Sequence, residues 1–102
     1  MDRTVQWTEI ASAQLDRAAA YIAADSPAYA SAFVRRVRET ASTLGRFPFR
    51  GRHVPELEGQ ELREVIISPY RLVYFVGDDT ATVIALIHGA RDFRKAFQNP
   101  EI

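Results

Sequence analysis

Arginine side chains recur in the second half of this sequence at positions where they could grip an anion. Arg71 stands among apolar and aromatic neighbours in Tyr70-Arg71-Leu72-Val73, and Arg63 lies between Leu62 and Glu64 in a second β-prone segment. On a β-strand such an arginine points away from the core, because successive side chains lie on opposite faces. Its planar guanidinium stays charged and offers paired N–H donors to a phosphate or a carboxylate. Several such strands side by side are predicted to form a basic sheet face.

The distribution of charge is uneven along the chain. Of the 13 lysine and arginine residues only Lys95 is a lysine, and the segment from Arg35 to Arg52 holds six arginines against a single acid, Glu39. Arginine use at this ratio suits geometric recognition of anions, and a GC-rich genome would produce the same bias with no function attached. The formal net charge is zero, which counts against bulk nucleic-acid binding.

The composition limits the function classes that are open to the chain. Its 102 residues are 47% hydrophobic and 25% charged, as expected for one globular domain over residues 1–102. Without cysteine there is no disulfide framework, thiolate nucleophile or zinc–thiolate site. No glycine-rich phosphate cradle or metal-ligand spacing occurs, so neither a cofactor nor a metal is expected. A polar N-terminus and the lack of a long apolar stretch predict a cytoplasmic protein with no membrane partner.

The first half of the sequence predicts a helical hairpin. Val5-Gln6-Trp7 is typical of a short strand, and Thr8 after it can cap a helix. Apolar residues then recur at helical spacing over residues 9–24. Ser26-Pro27 indicates the start of a second helix, because serine caps free amides and proline is tolerated at the first helical position. Gly45 is placed to end that helix.

The second half predicts an antiparallel sheet. Alternating and β-branched residues mark strands at Leu62–Ile67, at Tyr70–Val76 and at residues 80–87, and the short turns between them require antiparallel pairing. A short helical turn is expected at residues 91–97. The fold class is therefore α+β, with the helical hairpin packed on a curved antiparallel sheet.

Several aromatic and apolar side chains outside the helices are expected to pack in the core. Tyr70 and Tyr74 lie on the same strand face as Leu72, which predicts that they pack under the hairpin. The loop of residues 47–59 is rich in proline and glycine, and burial is also expected there for Phe47, Phe49, Val54 and Leu57.

A series of motifs runs along nearly the whole chain. In order they are Tyr21-Ile22-Ala23 with Asp25-Ser26-Pro27, Gly51-Arg52 with Pro55-Glu56-Leu57, Arg63-Glu64, Tyr70-Arg71-Leu72-Val73-Tyr74, and His88 with Arg91-Asp92. Their order and spacing resemble the RelE/ParE superfamily of bacterial type II toxins. The resemblance implies a helical hairpin on a curved antiparallel sheet whose opposite face is exposed. It also implies growth arrest, plasmid stabilisation and a cognate antitoxin, ParD-like or other, in a hetero-oligomer.

The resemblance leaves two molecular targets open. ParE-like members inhibit DNA gyrase, whereas RelE-like and YoeB-like members cut mRNA on the ribosome. By motif, Arg71, His88 and Glu56 resemble residues of the YoeB-like enzymes, which implies charge stabilisation by Arg71 with His88 and Glu56 as acid and base. Those enzymes follow the histidine with a tyrosine, but Gly89 stands here, and the lysine-rich loop of RelE-like enzymes is absent. Gyrase inhibition by binding is the favoured hypothesis; the alternatives are a metal-independent endoribonuclease and a non-toxic antitoxin-binding module.

The remaining candidate residues are assigned to the two kinds of partner. The predicted target-binding residues are Arg63, Arg71, Arg91 and Arg94. The predicted antitoxin-binding residues are Arg35, Arg38, Phe93 and Phe97. Structural alternatives exist for the polar candidates: Arg63 could form a salt bridge with Glu61 or Glu64, a cross-strand glutamate could pair with Arg71, and Glu56 could simply brace its loop.

Overall fold

Two helices pack on one face of a five-stranded mixed sheet. The structure is a computed structural model, and it describes residues 2–57 and 61–89. The elements, in chain order, are β1 (Thr4–Trp7), α1 (Glu9–Ala23), α2 (Pro27–Ser42), β2 (Arg52–His53), a 3-10 turn (Pro55–Leu57), β3 (Leu62–Ile67), β4 (Tyr70–Val76) and β5 (Thr80–His88). The strands lie side by side in the order β1-β5-β4-β3-β2. The predicted α+β fold with its helical hairpin is confirmed.

Local sequence patterns did not predict where the two edge strands, β1 and β2, lie in the sheet. β3, β4 and β5 pair antiparallel through short turns, as predicted, and the two-residue strand β2 adds to β3. β1 instead pairs parallel with β5. Parallel pairing needs a crossover connection, and the helical hairpin between the two strands provides it.

Both helices begin where their capping residues predict. The Thr8 hydroxyl accepts from the Ala11 amide at 3.0 Å, and the Ser26 hydroxyl accepts from the Tyr29 amide at 3.1 Å. These bonds satisfy amide groups that the helix itself leaves unpaired. Neither helix is long and apolar enough to cross a membrane, within the part of the chain that the structure describes.

The predicted end of the second helix at Gly45 is wrong, because α2 ends at Ser42. The hydroxyls of Ser42 and Thr43 donate to backbone carbonyls one turn back, which competes with further helix formation. Gly45 is needed for a close contact with β1 instead. Its carbonyl accepts from the Arg3 amide at 2.8 Å, and a Cβ atom there would lie 2.5 Å from the Arg3 carbonyl oxygen.

The main core lies between the hairpin and the sheet. Its buried members include Leu15, Val37 and Leu72, together with Tyr74, which has no exposed surface. Tyr70 packs against this core, with its ring centroid 5.1 Å from that of Phe33. The prediction that both tyrosines pack under the hairpin is therefore confirmed.

The opposite sheet face carries a second buried cluster, so the expectation that this face is exposed is wrong. Val73 and Ile87 from the sheet pack with Val54, and Leu57 lies beside them. The loop before β3 brings Val54 over this face, since its amide donates to the Leu62 carbonyl oxygen at 3.2 Å.

The expected burial of Phe47 and Phe49 is wrong as well, because their side chains are 59% and 60% exposed. Val54 fills the buried position of the same loop. The two rings lie instead against guanidinium groups, with Arg46 over Phe47 and Arg63 over Phe49 at 5.9 and 5.2 Å from the ring centroids.

Tyr74→Phe is expected to lower the free energy of unfolding by about 1–3 kcal/mol, the cost of leaving buried polar groups without a partner. The Tyr74 hydroxyl donates to the Pro48 carbonyl oxygen at 2.7 Å and accepts from the Gly51 amide at 2.9 Å. Urea unfolding measures the change, with Tyr29→Phe as the control because Tyr29 is 67% exposed. Equal stability of the two variants would show that the loop does not depend on this hydroxyl.

Candidate functional site around Arg71

Arg71 lies on β4, which is the middle strand of the sheet. Its side chain is on the face away from the helices. It stands opposite Ile66 on β3 and opposite Ile87 on β5. The side chain points away from the face that carries Leu72, as the alternation of strand residues predicts. It is nevertheless only 9% exposed, because the loop before β3 covers it.

Two carboxylates hold the Arg71 guanidinium. Glu64 accepts from Nε at 2.7 Å and lies 2.6 Å from Nη2. Glu56 forms a bidentate pair, with Nη1 to Oε2 at 2.6 Å and Nη2 to Oε1 at 2.7 Å. Arg52 donates to the second oxygen of Glu64 at 2.7 Å. The result is an alternating network, Arg52–Glu64–Arg71–Glu56, whose formal charges cancel.

The two carboxylates differ sharply in exposure. The Glu64 side chain has no exposed surface, whereas the Glu56 side chain is 39% exposed and sits on the 3-10 turn. Hydrogen bonds from Arg71 are the main reason that the pKa of Glu56 is lowered from 4.5 to about 2. The same bonds to Glu56, together with those to Glu64, raise the pKa of Arg71 above the ordinary arginine value. Glu64 is thus the buried partner of Arg71, and Glu56 is the partner that is partly exposed to solvent.

The Glu56–Arg71 pair is expected to make folding stability depend on pH in the acid range. The folded-state pKa of Glu56, about 2, lies below its usual value of 4.5. The pair therefore stabilises the protein fully above about pH 4.5, and this contribution is lost as the pH falls toward 2. Urea unfolding of wild type and Glu56→Gln at several pH values between these limits provides the measurement. We expect a shallower pH dependence for the variant; parallel curves would contradict the assignment.

The structure brings together only two of the three residues proposed for catalysis. Arg71 and Glu56 line a pocket of about 310 Å³, together with Arg52. His88 stands opposite Tyr70 in the strand pairing and packs edge-on against its ring, with 5.3 Å between the centroids. Since Ile87 faces the same side as Arg71, the next residue, His88, faces the other side.

His88 therefore lines a different pocket. This second pocket, of about 390 Å³, opens between the tip of the helical hairpin and the turn from β3 to β4, where Tyr21 and Arg36 also contribute. The segment Ser68-Pro69-Tyr70 contributes to the walls of both pockets. An acid on one side of this segment and a base on the other do not face one common substrate atom in this arrangement.

The predicted basic sheet face is wrong. Arg63 stands opposite Tyr74 in the pairing of β3 with β4, so it lies on the face opposite to Arg71. Its guanidinium donates to the Gly51 carbonyl oxygen at 2.7 Å and lies over the Phe49 ring. The face that does carry Arg71 is neutralised by Glu56 and Glu64. Arg63 on β3 and Arg71 on β4 thus lie on opposite faces of the sheet and have different surroundings.

Glu64 is the site residue that the sequence analysis did not assign to the site. It entered there only as part of a motif and as a neighbour of Arg63. Its alternation along β3 was the available signal, because Glu64 shares a face with Ile66, which stands opposite Arg71. The cross-strand glutamate considered as a structural partner for Arg71 is this residue.

The other candidate residues are placed as follows. Arg35 and Arg38 are exposed on α2. Arg91, Arg94, Phe93 and Phe97 lie outside the described residues, as does the helical turn predicted for residues 91–97. In residues 2–57 and 61–89, no three His, Asp or Glu side chains are gathered as a set of metal ligands.

Comparison with known proteins agrees with this fold and defines the class of protein. Residues 5–93 match the family model described as the ParE toxin of the type II toxin-antitoxin system parDE. The chain thus has the architecture of a type II toxin of the RelE/ParE superfamily, and the resemblance drawn from its motifs is confirmed. It belongs to the ParE toxin family.

Individual relatives carry both RelE-type and ParE-type names. The toxin RelE2 of Caulobacter vibrioides is 35% identical over 88 residues, which cover 85% of this chain and 96% of that protein. A chromosomal ParDE system from P. aeruginosa superposes with a TM-score of 0.71 at 20% identity, over 84% of this chain and 95% of that one. The toxin-antitoxin complex RelBE2 from Mycobacterium tuberculosis gives a TM-score of 0.61 at 25% identity, over 86% and 99%.

Proposed function

We propose that this toxin arrests growth by binding DNA gyrase, and that a cognate antitoxin, ParD-like or other, neutralises it in a hetero-oligomer in the cytoplasm. The observation that carries the proposal is the enclosure of Arg71 between Glu56 and Glu64 while His88 faces the other side of the sheet. This arrangement supports a rigid binding surface. It does not offer an acid and a base that converge on one phosphate.

The state of Glu56 supports the same conclusion. A general base works best when its pKa lies near the operating pH. Hydrogen bonds from Arg71 hold the pKa of Glu56 at about 2, so its carboxylate is a weak proton acceptor at neutral pH. The match to a ParE toxin model over residues 5–93 also favours a gyrase inhibitor.

Cleavage of mRNA on the ribosome is the second candidate function. It is favoured by one specific observation, the 35% identity to a protein that is named toxin RelE2. In that case Arg71, His88 and Glu56 would be the catalytic residues, and binding of substrate would have to bring them to one site. A third candidate, an antitoxin-binding module without toxicity, is retained as an outcome of the growth assay.

The residues proposed for binding are divided between the target and the antitoxin. We assign contact with the target to Arg63, Arg71, Arg91 and Arg94. We assign contact with the antitoxin to Arg35, Arg38, Phe93 and Phe97. The exposed positions of Arg35 and Arg38 on α2 support the second assignment, because an acidic antitoxin segment can reach both.

The test is a supercoiling assay with purified toxin, DNA gyrase, ATP and plasmid. We expect loss of supercoiling and accumulation of linear DNA that requires gyrase, and the toxin alone should leave the plasmid intact. If a folded toxin that arrests growth leaves gyrase unaffected at excess concentration, the gyrase proposal fails. Cleavage of mRNA in a translating extract then identifies the ribosome as the target. Absence of growth arrest would leave only the antitoxin-binding module.

His88→Ala separates the two active mechanisms. A ribonuclease that uses His88 for proton transfer should lose on the order of 10²–10⁴-fold in cleavage rate. An inhibitor that acts by binding through the Arg71 face should keep its growth arrest and its effect on gyrase. The unfolding midpoint confirms that the variant is folded, and a variant that is folded but harmless would count against inhibition by binding.

A further inference from the structure

The turn between α2 and β2 exposes two phenylalanines among arginines. We call residues 46–50, Arg46-Phe47-Pro48-Phe49-Arg50, the arginine–phenylalanine turn. Both rings are more than half exposed, and a pocket of about 660 Å³ lies among these residues and Thr43. Clustered exposed apolar surface of this kind often marks an interaction site.

The turn is held in place from beneath. Tyr74, which is fully buried, donates to the Pro48 carbonyl oxygen at 2.7 Å, and the Arg50 guanidinium donates to the Thr43 hydroxyl at 2.7 Å. The rings of Phe47 and Phe49 contribute little to the core of the protein. A surface that is rigid without a partner loses less conformational freedom on binding.

Positive charge surrounds the two rings, and no carboxylate of residues 2–57 and 61–89 forms an ion pair with it. Arg3 and Arg63 lie over the Phe49 ring at 5.4 and 5.2 Å from its centroid, and Arg46 lies over Phe47. The ion pairs formed among residues 2–57 and 61–89 all involve other arginines, namely Arg52 and Arg71. The patch is therefore locally cationic, although the formal net charge of the chain is zero.

The arginines that lie over the two rings favour one of two anionic partners. Single-stranded nucleic acid binds such patches by stacking its bases on open aromatic faces. Here guanidinium groups already lie over both rings. Arg3 and Arg63 each use part of their N–H edges on a backbone carbonyl, that of Gly77 and that of Gly51, and the other N–H groups of these arginines can meet an anion. Carboxylates can pair with these edges while an apolar side chain enters the pocket beside the rings.

We propose that the arginine–phenylalanine turn is a docking site for an acidic peptide segment of a partner protein, in which carboxylates flank an apolar or aromatic side chain. The site is separate from the Arg71 network. Arg3, which lies over the Phe49 ring, donates to the Gly77 carbonyl oxygen just after β4, whereas Arg71 is at the start of that strand. The proposal therefore does not depend on whether the toxin acts on gyrase or on ribosomes.

The test measures binding of a fluorescein-labelled twelve-residue peptide, with one phenylalanine between glutamates, to the full-length protein by fluorescence anisotropy. Two probes of equal length identify the chemistry: a peptide with glutamine in place of glutamate, and one with serine in place of phenylalanine. A labelled twelve-residue oligo(dT) tests the nucleic-acid alternative. We expect saturable binding of the acidic peptide, and binding weaker by about tenfold or more for each of the other probes.

Matched variants locate the binding surface. Arg46→Gln with Arg50→Gln removes two charges from the turn, and Arg17→Gln with Arg36→Gln removes two exposed charges from the helices. We expect about tenfold weaker binding for the first pair and less than about twofold for the second. Phe47→Ser with Phe49→Ser should also weaken binding, and the charge variants decide the matter if that protein does not fold.

Three results would overturn the proposal. Equal weakening by the two arginine pairs would mean attraction by bulk charge. Tighter binding of oligo(dT) than of the peptide would identify a nucleic-acid surface. Absence of peptide binding up to about 1 mM, which corresponds to about −4 kcal/mol, would mean that the exposed rings do not serve this purpose.

Discussion

Glu64→Gln is expected to lower the free energy of unfolding by about 3–5 kcal/mol, the largest effect of any single polar substitution that we propose. The Glu64 side chain is fully buried and receives hydrogen bonds from Arg71 and Arg52. Glutamine has nearly the same shape but no charge, and its amide nitrogen would face guanidinium donors. Arg71, only 9% exposed, would then keep its charge while one of the two carboxylates that hold it, Glu64, is lost and Glu56 remains.

Urea unfolding at neutral pH measures this effect, with Glu56→Gln as the matched control. Glu56 bonds the same guanidinium, but its side chain is 39% exposed, so water can replace it, and the expected cost is about 1 kcal/mol. The double variant Glu64→Leu with Arg71→Met removes both buried charges and should be more stable than Glu64→Gln alone. A Glu64→Gln protein as stable as Glu56→Gln would contradict the burial argument.

Gly51→Ala is expected to lower the free energy of unfolding by about 3 kcal/mol, because a side chain there has no space. A Cβ atom at Gly51 would lie 2.6 Å from the Tyr74 hydroxyl and 2.7 Å from the Glu64 carbonyl oxygen. Both neighbours are fixed, since Tyr74 is fully buried and the Glu64 carbonyl belongs to β3. The loop must therefore move away from the sheet.

Gly77→Ala is the control for this steric argument. At Gly77 the nearest atom to an added Cβ is the Thr80 hydroxyl at 3.1 Å, at the end of a side chain that can rotate. We expect a change within about 1 kcal/mol for this variant. Unfolding midpoints of the two proteins under identical conditions provide the comparison. Similar midpoints would mean that the loop adapts to the alanine at position 51.

Gly51→Ala also bears on function, because the loop that contains Gly51 contributes residues to the site around Arg71. Gly51 adjoins Arg52, and the same loop carries Glu56 to Arg71. A displaced loop in Gly51→Ala would open the Arg71 guanidinium to solvent. If growth arrest depends on the ordered surface around Arg71, the variant should lose toxicity at temperatures where it is still folded.

Local patterns in the sequence were sufficient to predict the two helices and the three central strands, but not β2 or the end of α2. Thr8 and Ser26 are helix caps because of the amides that follow them within three residues, and β3 and β4 have the bounds that their alternation indicates. The resemblance to RelE/ParE toxins likewise depended on residue types in order. The predictions that were wrong concern positions with contacts distant in sequence, such as Gly45, which approaches Arg3.

The sequence by itself thus determined the helical hairpin, the three central strands and the family. Tertiary structure alone decided which candidate residues meet. A shift of one residue moves a strand side chain to the opposite face, so the pairing register separates His88 from Arg71 and brings Glu64 to it. Phe47 and Phe49 are exposed, and Val54 is the residue of their loop that is buried. These outcomes depend on contacts between segments distant in sequence, which no local pattern of residues specifies.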